Sequence, residues 1–178
     1  MENTELSRIA TLGGIALATT IGGQGASAQT PIPPSPKDFV MAASQSDQYE
    51  ILAATVAAAQ SQDPRVRAFA EEMIKDHKRL NEDLRQAAMA SGLPPPEPGM
   101  STDQASFLAS LQSVRGRDFD EAYARQQELA HAQAIAVQES FASAGSDPNL
   151  CKAARAALPV IRGHMKMARQ LSADVGGS

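Results

Sequence analysis

Two long segments of the chain place hydrophobic residues every three or four positions, which is the spacing of an amphipathic helix. In residues 64–91 this stripe contains Val66, Phe69 or Ala70, Met73, His77, Leu80, Leu84 and Ala87. In residues 148–173 it contains Leu150, Ala154, Ala157, Ile161, His164, Ala168 and Leu171. Both stripes predict a helix that packs against a core. Each stripe also includes a histidine among its apolar positions.

Two further long helices have less regular patterns. An Ala-rich helix is predicted from Lys37 to about Gln60, and its inward positions include Asp47 and Glu50. Another is predicted from Asp118 to about Ala144. Its core line consists of Phe119, Tyr123, Ala130, Val137 and Phe141, and His131 is expected to flank that line beside Glu128 and Ile135. A short amphipathic helix is predicted for residues 102–114.

Turn signals group the long helices into two hairpins. Asp63 and Pro64, and again Asp147 and Pro148, combine a helix N-cap with a proline at the first helical position. The segment GLPPPEPG, residues 92–99, separates the two hairpins. The predicted fold class is all-α. The predicted domain, residues 37–175, is a single four-helix bundle of two helical hairpins plus a short connecting helix.

Residues 1–28 have the features of a signal peptide, because Arg8 precedes a weakly apolar run and small residues end at Ala28. Residues 29–36 form a Pro-rich lead that does not suit a helix. We therefore expect export to the periplasm or the outer envelope. The apolar run is too short to span a bilayer, and no transmembrane segment is expected in the mature chain.

Composition narrows the choice of partners. The chain has a net charge of −4 and only 4% aromatic residues, so it lacks the basic and aromatic surface that nucleic acid requires. A homo-oligomer or an envelope protein partner remains open. The one cysteine, Cys151, cannot form an internal disulfide and is expected to be a small buried hydrophobic residue.

The spacing of four residues predicts that they meet inside the bundle. Glu50 lies 13 positions before Asp63, and His77 lies 13 after Pro64, so both stand about 20 Å from the first hairpin turn. By the same count, His131 and His164 both stand about 24 Å from the second turn. Since each helix is roughly 40 Å long, the two pairs are expected near the middle of the bundle.

Three histidines and a glutamate at one level suit a metal ion, because imidazole and carboxylate supply the lone pairs that it needs. The candidate ligands are Glu50, His77, His131 and His164, with Glu128 beside them. Such a set suits one ion of zinc, copper or iron without selecting among these metals. The alternative is a buried hydrogen-bond network of histidines and glutamates in a structural or interaction module. Asp76 points about 100° away from His77 and is expected to be a surface charge or a partner of Lys or Arg.

The segments DFVMAASQSDQYEILAA, VRAFAEEMIKDHKRLNEDL, FDEAYARQQELAHAQAI and LPVIRGHMKMARQL resemble, in order and spacing, the exported bacterial family called domain of unknown function 4142 (DUF4142). The resemblance implies a ferritin-like bundle and no established activity. Ferritin-type di-iron bundles use Glu-x-x-His pairs on two helices, and here only Glu128 and His131 have that form. Di-iron chemistry is therefore not expected.

The sequence does not decide whether the protein is an enzyme. It contains no Gly-rich phosphate loop, no nucleophile elbow and no thiol beside a histidine partner. An open coordination position on a metal ion would allow catalysis, whereas a closed site would suit storage, sensing or envelope stress protection.

Overall fold

The computed structural model describes residues 35–177, which form five α-helices. Their bounds are α1 Pro36–Gln60, α2 Pro64–Ala90, α3 Thr102–Ser113, α4 Gly116–Ala144 and α5 Pro148–Gly176. The described part of the chain contains no strand, and the predicted all-α bundle is confirmed. The predicted signal segment and most of the Pro-rich lead lie outside the described residues.

The helices begin where the capping residues require. The Asp63 side chain accepts a hydrogen bond from the Arg65 backbone N–H at 2.8 Å, and Asp147 accepts one from Leu150 at 2.9 Å. Each aspartate satisfies an N–H group that has no partner inside its own helix. α3 begins with a capping box, in which Ser101 and Gln104 each bind the other's backbone N–H.

The connection between the hairpins runs along the length of the bundle. Asn149 at the start of α5 donates to the carbonyl of Ala90 at the end of α2. At the opposite end, Arg117 near the start of α4 donates to the carbonyl of Gly176 at the end of α5. α2 therefore ends at one end of the bundle and α4 begins at the other. A single lengthwise crossover of this kind is the topology of ferritin-like bundles.

Apolar cores fill the bundle on both sides of its middle. Toward the end of the bundle where α2 and α4 begin, Phe69, Phe119 and Tyr123 belong to one buried cluster, which also includes Leu111 of α3. Toward the other end, Phe39 stacks on Phe141 with ring centroids 4.1 Å apart. α3 packs against α1 and α4, so its apolar residues are covered within the chain. None of the five helices combines the length and the apolar character needed to cross a membrane.

Candidate metal centre

Three histidines from three helices meet in the middle of the bundle. His77 of α2, His131 of α4 and His164 of α5 have ring centroids 5.2 to 5.6 Å apart and are at most 2% exposed. One ring nitrogen of each lies within 4.8 Å of the corresponding atoms of the other two. These residues, hereafter the histidine trio, converge as their matched distances from the hairpin turns predict.

One nitrogen of each ring is held by an oxygen on the outer side of the trio. The three pairs are His77 Nδ1 with Asp47 Oδ1 at 2.9 Å, His131 Nδ1 with the Gln127 carbonyl at 2.8 Å, and His164 Nε2 with Asp76 Oδ2 at 3.1 Å. A carbonyl oxygen only accepts hydrogen bonds, and so does an ionised carboxylate. When Asp47 and Asp76 are ionised, each of these ring nitrogens donates its N–H. This assignment fixes the tautomer of every neutral ring.

The second nitrogen of each ring is left with a free lone pair. His77 Nε2, His131 Nε2 and His164 Nδ1 are buried and have no hydrogen-bond partner within residues 35–177. Buried polar atoms are normally paired, so three unpaired ones in a single cluster require an explanation. Imidazole nitrogens whose other N–H is fixed by an oxygen are the usual form of histidine ligands to metals.

The electrostatics of the site keep the rings of His77 and His164 neutral. Burial lowers the pKa of His77 and of His164 from the ordinary value to about 4. Both rings are therefore uncharged at neutral pH, with the lone pair available for a cation. Burial also raises the pKa of Asp47 well above its usual range. A positive charge nearby would favour the ionised form of this carboxyl group.

Glu50 lies inside the bundle, as its position on α1 predicts. Its side chain is fully buried, and neither carboxylate oxygen has a hydrogen-bond partner within the described residues. Oε1 lies 3.5 Å from His131 Nδ1, the nitrogen that already faces the Gln127 carbonyl. Glu50 therefore contacts the outer side of His131, and it is absent from the group of ligand atoms that the trio forms.

The structure does not bring Glu128 to the trio. Its side chain is 34% exposed, and Oε2 lies 4.0 Å from Arg169 Nε at the bundle surface. The expectation that His131 flanks the core line of its helix is wrong, because His131 is fully buried. The true inward face of α4 contains Gln127, His131 and Gln138, and these polar residues hide the register from a hydrophobic pattern.

Asp76 differs from its expected role. It was expected to be a surface charge or a partner of Lys or Arg, but its Oδ2 accepts the N–H of His164 Nε2. The angle on the helical wheel is compatible with this contact because Asp76 reaches sideways from α2 to α5, whereas His77 points to the bundle axis. Asp47 is not among the ligands that the sequence predicts, although its position on the inward face of α1 is a signal for a role at the site. The carbonyl of Gln127 is a backbone group and leaves no signal in the sequence.

Comparisons with known proteins agree with this architecture. A family model described as domain of unknown function (DUF4142) matches residues 22–171. No curated protein matches the chain significantly. Among solved structures, "CopM in the Cu(II)-bound form" is similar, with a TM-score of 0.67 and 18% sequence identity over 80% of this chain and 99% of that chain. At this identity the likeness concerns the fold.

Proposed function

We propose that this chain, which belongs to the DUF4142 family of domains of unknown function, binds one transition-metal ion between His77, His131 and His164. The observation that supports this proposal most directly is the set of three unpaired, buried ring nitrogens within 4.8 Å of one another. Three such lone pairs are the protein ligands of many zinc sites, in which a fourth position is left for water or another group.

The alternative of a purely structural hydrogen-bond network explains these nitrogens less well. The hydrogen bonds in the structure connect the rings to Asp47, Gln127 and Asp76, on the outer side of the trio. The inner nitrogens are not hydrogen-bonded to one another, and leaving a buried polar atom unpaired costs about 1 to 3 kcal/mol. A bound cation would satisfy all three atoms at once.

The negative groups around the trio also favour a cation. Glu50 and Asp47 are both at least nine-tenths buried, and neither contacts a lysine or an arginine within residues 35–177. An uncompensated buried carboxylate is costly, and a divalent ion at the trio would offset that cost. We assign Glu50 to this role of charge compensation, because its oxygen faces the outer nitrogen of His131.

Imidazole ligands suit zinc, copper and iron, so the donor set leaves the metal open. The similar structure of CopM is the Cu(II)-bound form of that protein, which makes copper a natural ion to test. The role we assign is to hold the ion in the cell envelope for storage, sensing or stress protection. The signal-like residues 1–28 support this location.

Elemental analysis tests the proposal. Tag-free protein is purified without chelator, incubated with zinc, copper or iron salts and desalted, in parallel with the His77→Ala and His164→Ala variants. We expect close to one equivalent of a single metal in the wild type and none in either variant. Lys78→Ala, an exposed change next to His77, is the control that retains the metal. Circular dichroism verifies that each variant is helical. A wild-type protein that takes up none of the three metals would contradict the proposal.

A further inference from the structure

A cleft between α2 and α5 extends from the surface into the bundle. Its volume is about 510 Å³, which is within the size range of sites for small organic molecules. Apolar side chains form much of its two walls, namely Leu80, Leu84 and Ala87 on α2 and Ala153, Ala156 and Val160 on α5. Phe39 of α1 and Gln138 of α4 also line the cleft, and both are buried. The cleft therefore reaches past the two outer helices to the other side of the bundle.

Gln138 gives this cleft an unpaired polar group. Its side chain is 8% exposed, and its Oε1 has no hydrogen-bond partner among the described residues. Buried acceptors are normally paired, so this oxygen requires a partner that the described chain does not supply. Because the terminal torsion of a glutamine side chain is broad, Oε1 can turn toward a donor in the cleft. An N–H or O–H group of a ligand would satisfy it.

The charges on the walls indicate which sign of ligand the cleft accepts. Its three carboxylates already have partners, since Asp47 contacts His77, Asp76 contacts His164, and Asp83 lies 3.9 Å from Arg79. Lys152 is exposed at the cleft and has no hydrogen bond or ion pair within residues 35–177. Its ammonium group is thus the available charge of the cleft in this part of the chain, and it would attract an anion.

We infer that this cleft binds a small carboxylic acid with a rigid apolar body. The carboxylate pairs with Lys152, the apolar body packs between the walls, and a hydroxyl group at the far end donates to Gln138 Oε1. Lys152 lies four residues after the start of α5 and Gln138 six before the end of α4, so they stand within about 3 Å of the same level. A ligand that spans the cleft at this level must extend across roughly one helix diameter, about 10 Å.

Calorimetric titration with 4-hydroxycinnamate tests the inference, because this acid has a carboxylate and a hydroxyl at opposite ends of a flat apolar body. The protein is kept in EDTA at pH 7, so the result does not depend on the metal centre. We expect saturable binding with one site per chain. 4-Hydroxycinnamide lacks the negative charge and cinnamate lacks the hydroxyl, and each is expected to bind at least about threefold more weakly.

Two variants assign these preferences to residues. Lys152→Gln is expected to bind the acid no more tightly than the amide, and Gln138→Leu is expected to bind 4-hydroxycinnamate no more tightly than cinnamate. Lys166→Gln, an exposed change on α5 outside this cleft, is the control that keeps both preferences. Circular dichroism verifies that each variant is helical.

A further pair of variants tests the cleft itself. Ala156→Trp places a large side chain on the α5 wall and is expected to weaken binding at least about tenfold, whereas Ala136→Trp, an exposed change on α4 outside the cleft, is not. Absence of saturable binding to the wild type would overturn the inference, and so would wild-type affinity in Ala156→Trp or an unchanged preference for the acid in Lys152→Gln. Metal uptake is measured separately, so this inference and the proposed function can fail independently.

Discussion

Asp47 Oδ1 lies 2.9 Å from His77 Nδ1, and both side chains are almost completely withdrawn from solvent. A carboxylate in this position holds the imidazole in one orientation and one tautomer, and it makes the opposite nitrogen a stronger electron donor. The contact also joins α1 to α2, so the helix that supplies no histidine still determines how His77 is presented. Asp47 is therefore a positioning residue for the proposed metal centre.

Replacing Asp47 with asparagine is expected to separate metal affinity from stability. The asparagine side chain would retain an acceptor oxygen but no charge, so metal affinity should fall by about 10- to 100-fold. The metal-free protein should become more stable by about 1 kcal/mol at pH 7, because burial raises the pKa of Asp47 and makes its ionised form costly. A competition titration and chemical denaturation in EDTA measure the two effects.

Asp83→Asn is the control for this substitution, since Asp83 is exposed on α2 and lies 3.9 Å from Arg79 at the surface. It is expected to alter neither quantity measurably. If Asp47→Asn bound metal as tightly as the wild type, Asp47 would have no positioning role.

Glu50 and Glu128 were both candidate ligands in the sequence, and their substitutions should now behave differently. Glu50→Gln removes a fully buried charge next to His131 and is expected to weaken metal binding by about tenfold. Glu128→Gln removes only a surface contact with Arg169 and is expected to bind metal normally. Calorimetric titration of both variants with the same ion gives the comparison. Equal effects of the two substitutions would show that burial of Glu50 is unrelated to the site.

The metal-free protein is expected to lose stability as the pH falls from 6.5 to about 4. The pKa of His77 and of His164 is about 4 in the folded chain, below the ordinary value of 6.5, because burial disfavours the charged rings. The unfolded chain therefore binds more protons than the folded chain in this pH window. The free energy of unfolding falls by on the order of a few kcal/mol as a result. The raised pKa of Asp47 has the opposite effect on stability, because the folded chain retains a proton on this carboxyl group that the unfolded chain has released.

Guanidinium unfolding in EDTA at several pH values between 7 and 4 measures this dependence. Glu50 and Asp76 also face the rings, so the comparison that isolates Asp47 uses the wild type and Asp47→Asn at each pH. We expect the variant to lose stability more steeply, since it lacks the opposing contribution of Asp47. A flat profile in both proteins would contradict the assignment of buried, neutral rings at His77 and His164.

Two buried tyrosines offer a matched test of polar burial. Tyr49 donates its hydroxyl hydrogen to Gln126 Oε1 at 2.9 Å, whereas the Tyr123 hydroxyl has no partner within residues 35–177. Tyr49→Phe is expected to lower the free energy of unfolding by about 1 kcal/mol, and Tyr123→Phe to leave it unchanged or raise it by a similar amount. Thermal unfolding of the two variants decides the matter. Equal destabilisation would mean that the Tyr123 hydroxyl is paired in solution.

The sequence predicts the helical hairpins well because their signals are local. All seven stripe positions assigned to α5 are buried, including His164. The convergence of the histidines was also predictable, since rise per residue fixes the height of each position in an antiparallel hairpin. The direction of the crossover was not predictable, because residues 91–101 between α2 and α3 have no pattern that specifies an end of the bundle.

The outer contacts of the trio were harder to predict for a physical reason. α4 buries Gln127 and Gln138 on its inward face, so its hydrophobic pattern suggests a register that leaves His131 at the flank. The contact of Asp76 with His164 is not predictable from helical spacing. The spacing gives the direction in which a Cα–Cβ bond points, but not how far the side chain reaches toward the next helix. Contacts of this kind depend on the packing of two helices and are absent from the sequence of either one.

The histidine trio draws its members from both hairpins, with His77 in the first and His131 and His164 in the second. An ion held there would act as a reversible cross-link between parts of the chain that the long crossover separates. Cross-links between distant residues stabilise chiefly by restricting the unfolded chain, and the single cysteine provides no internal disulfide for this purpose. The metal-loaded protein would then resist proteolysis better than the metal-free protein. When the ion is scarce, more of the protein would be metal-free and its lifetime would be shorter.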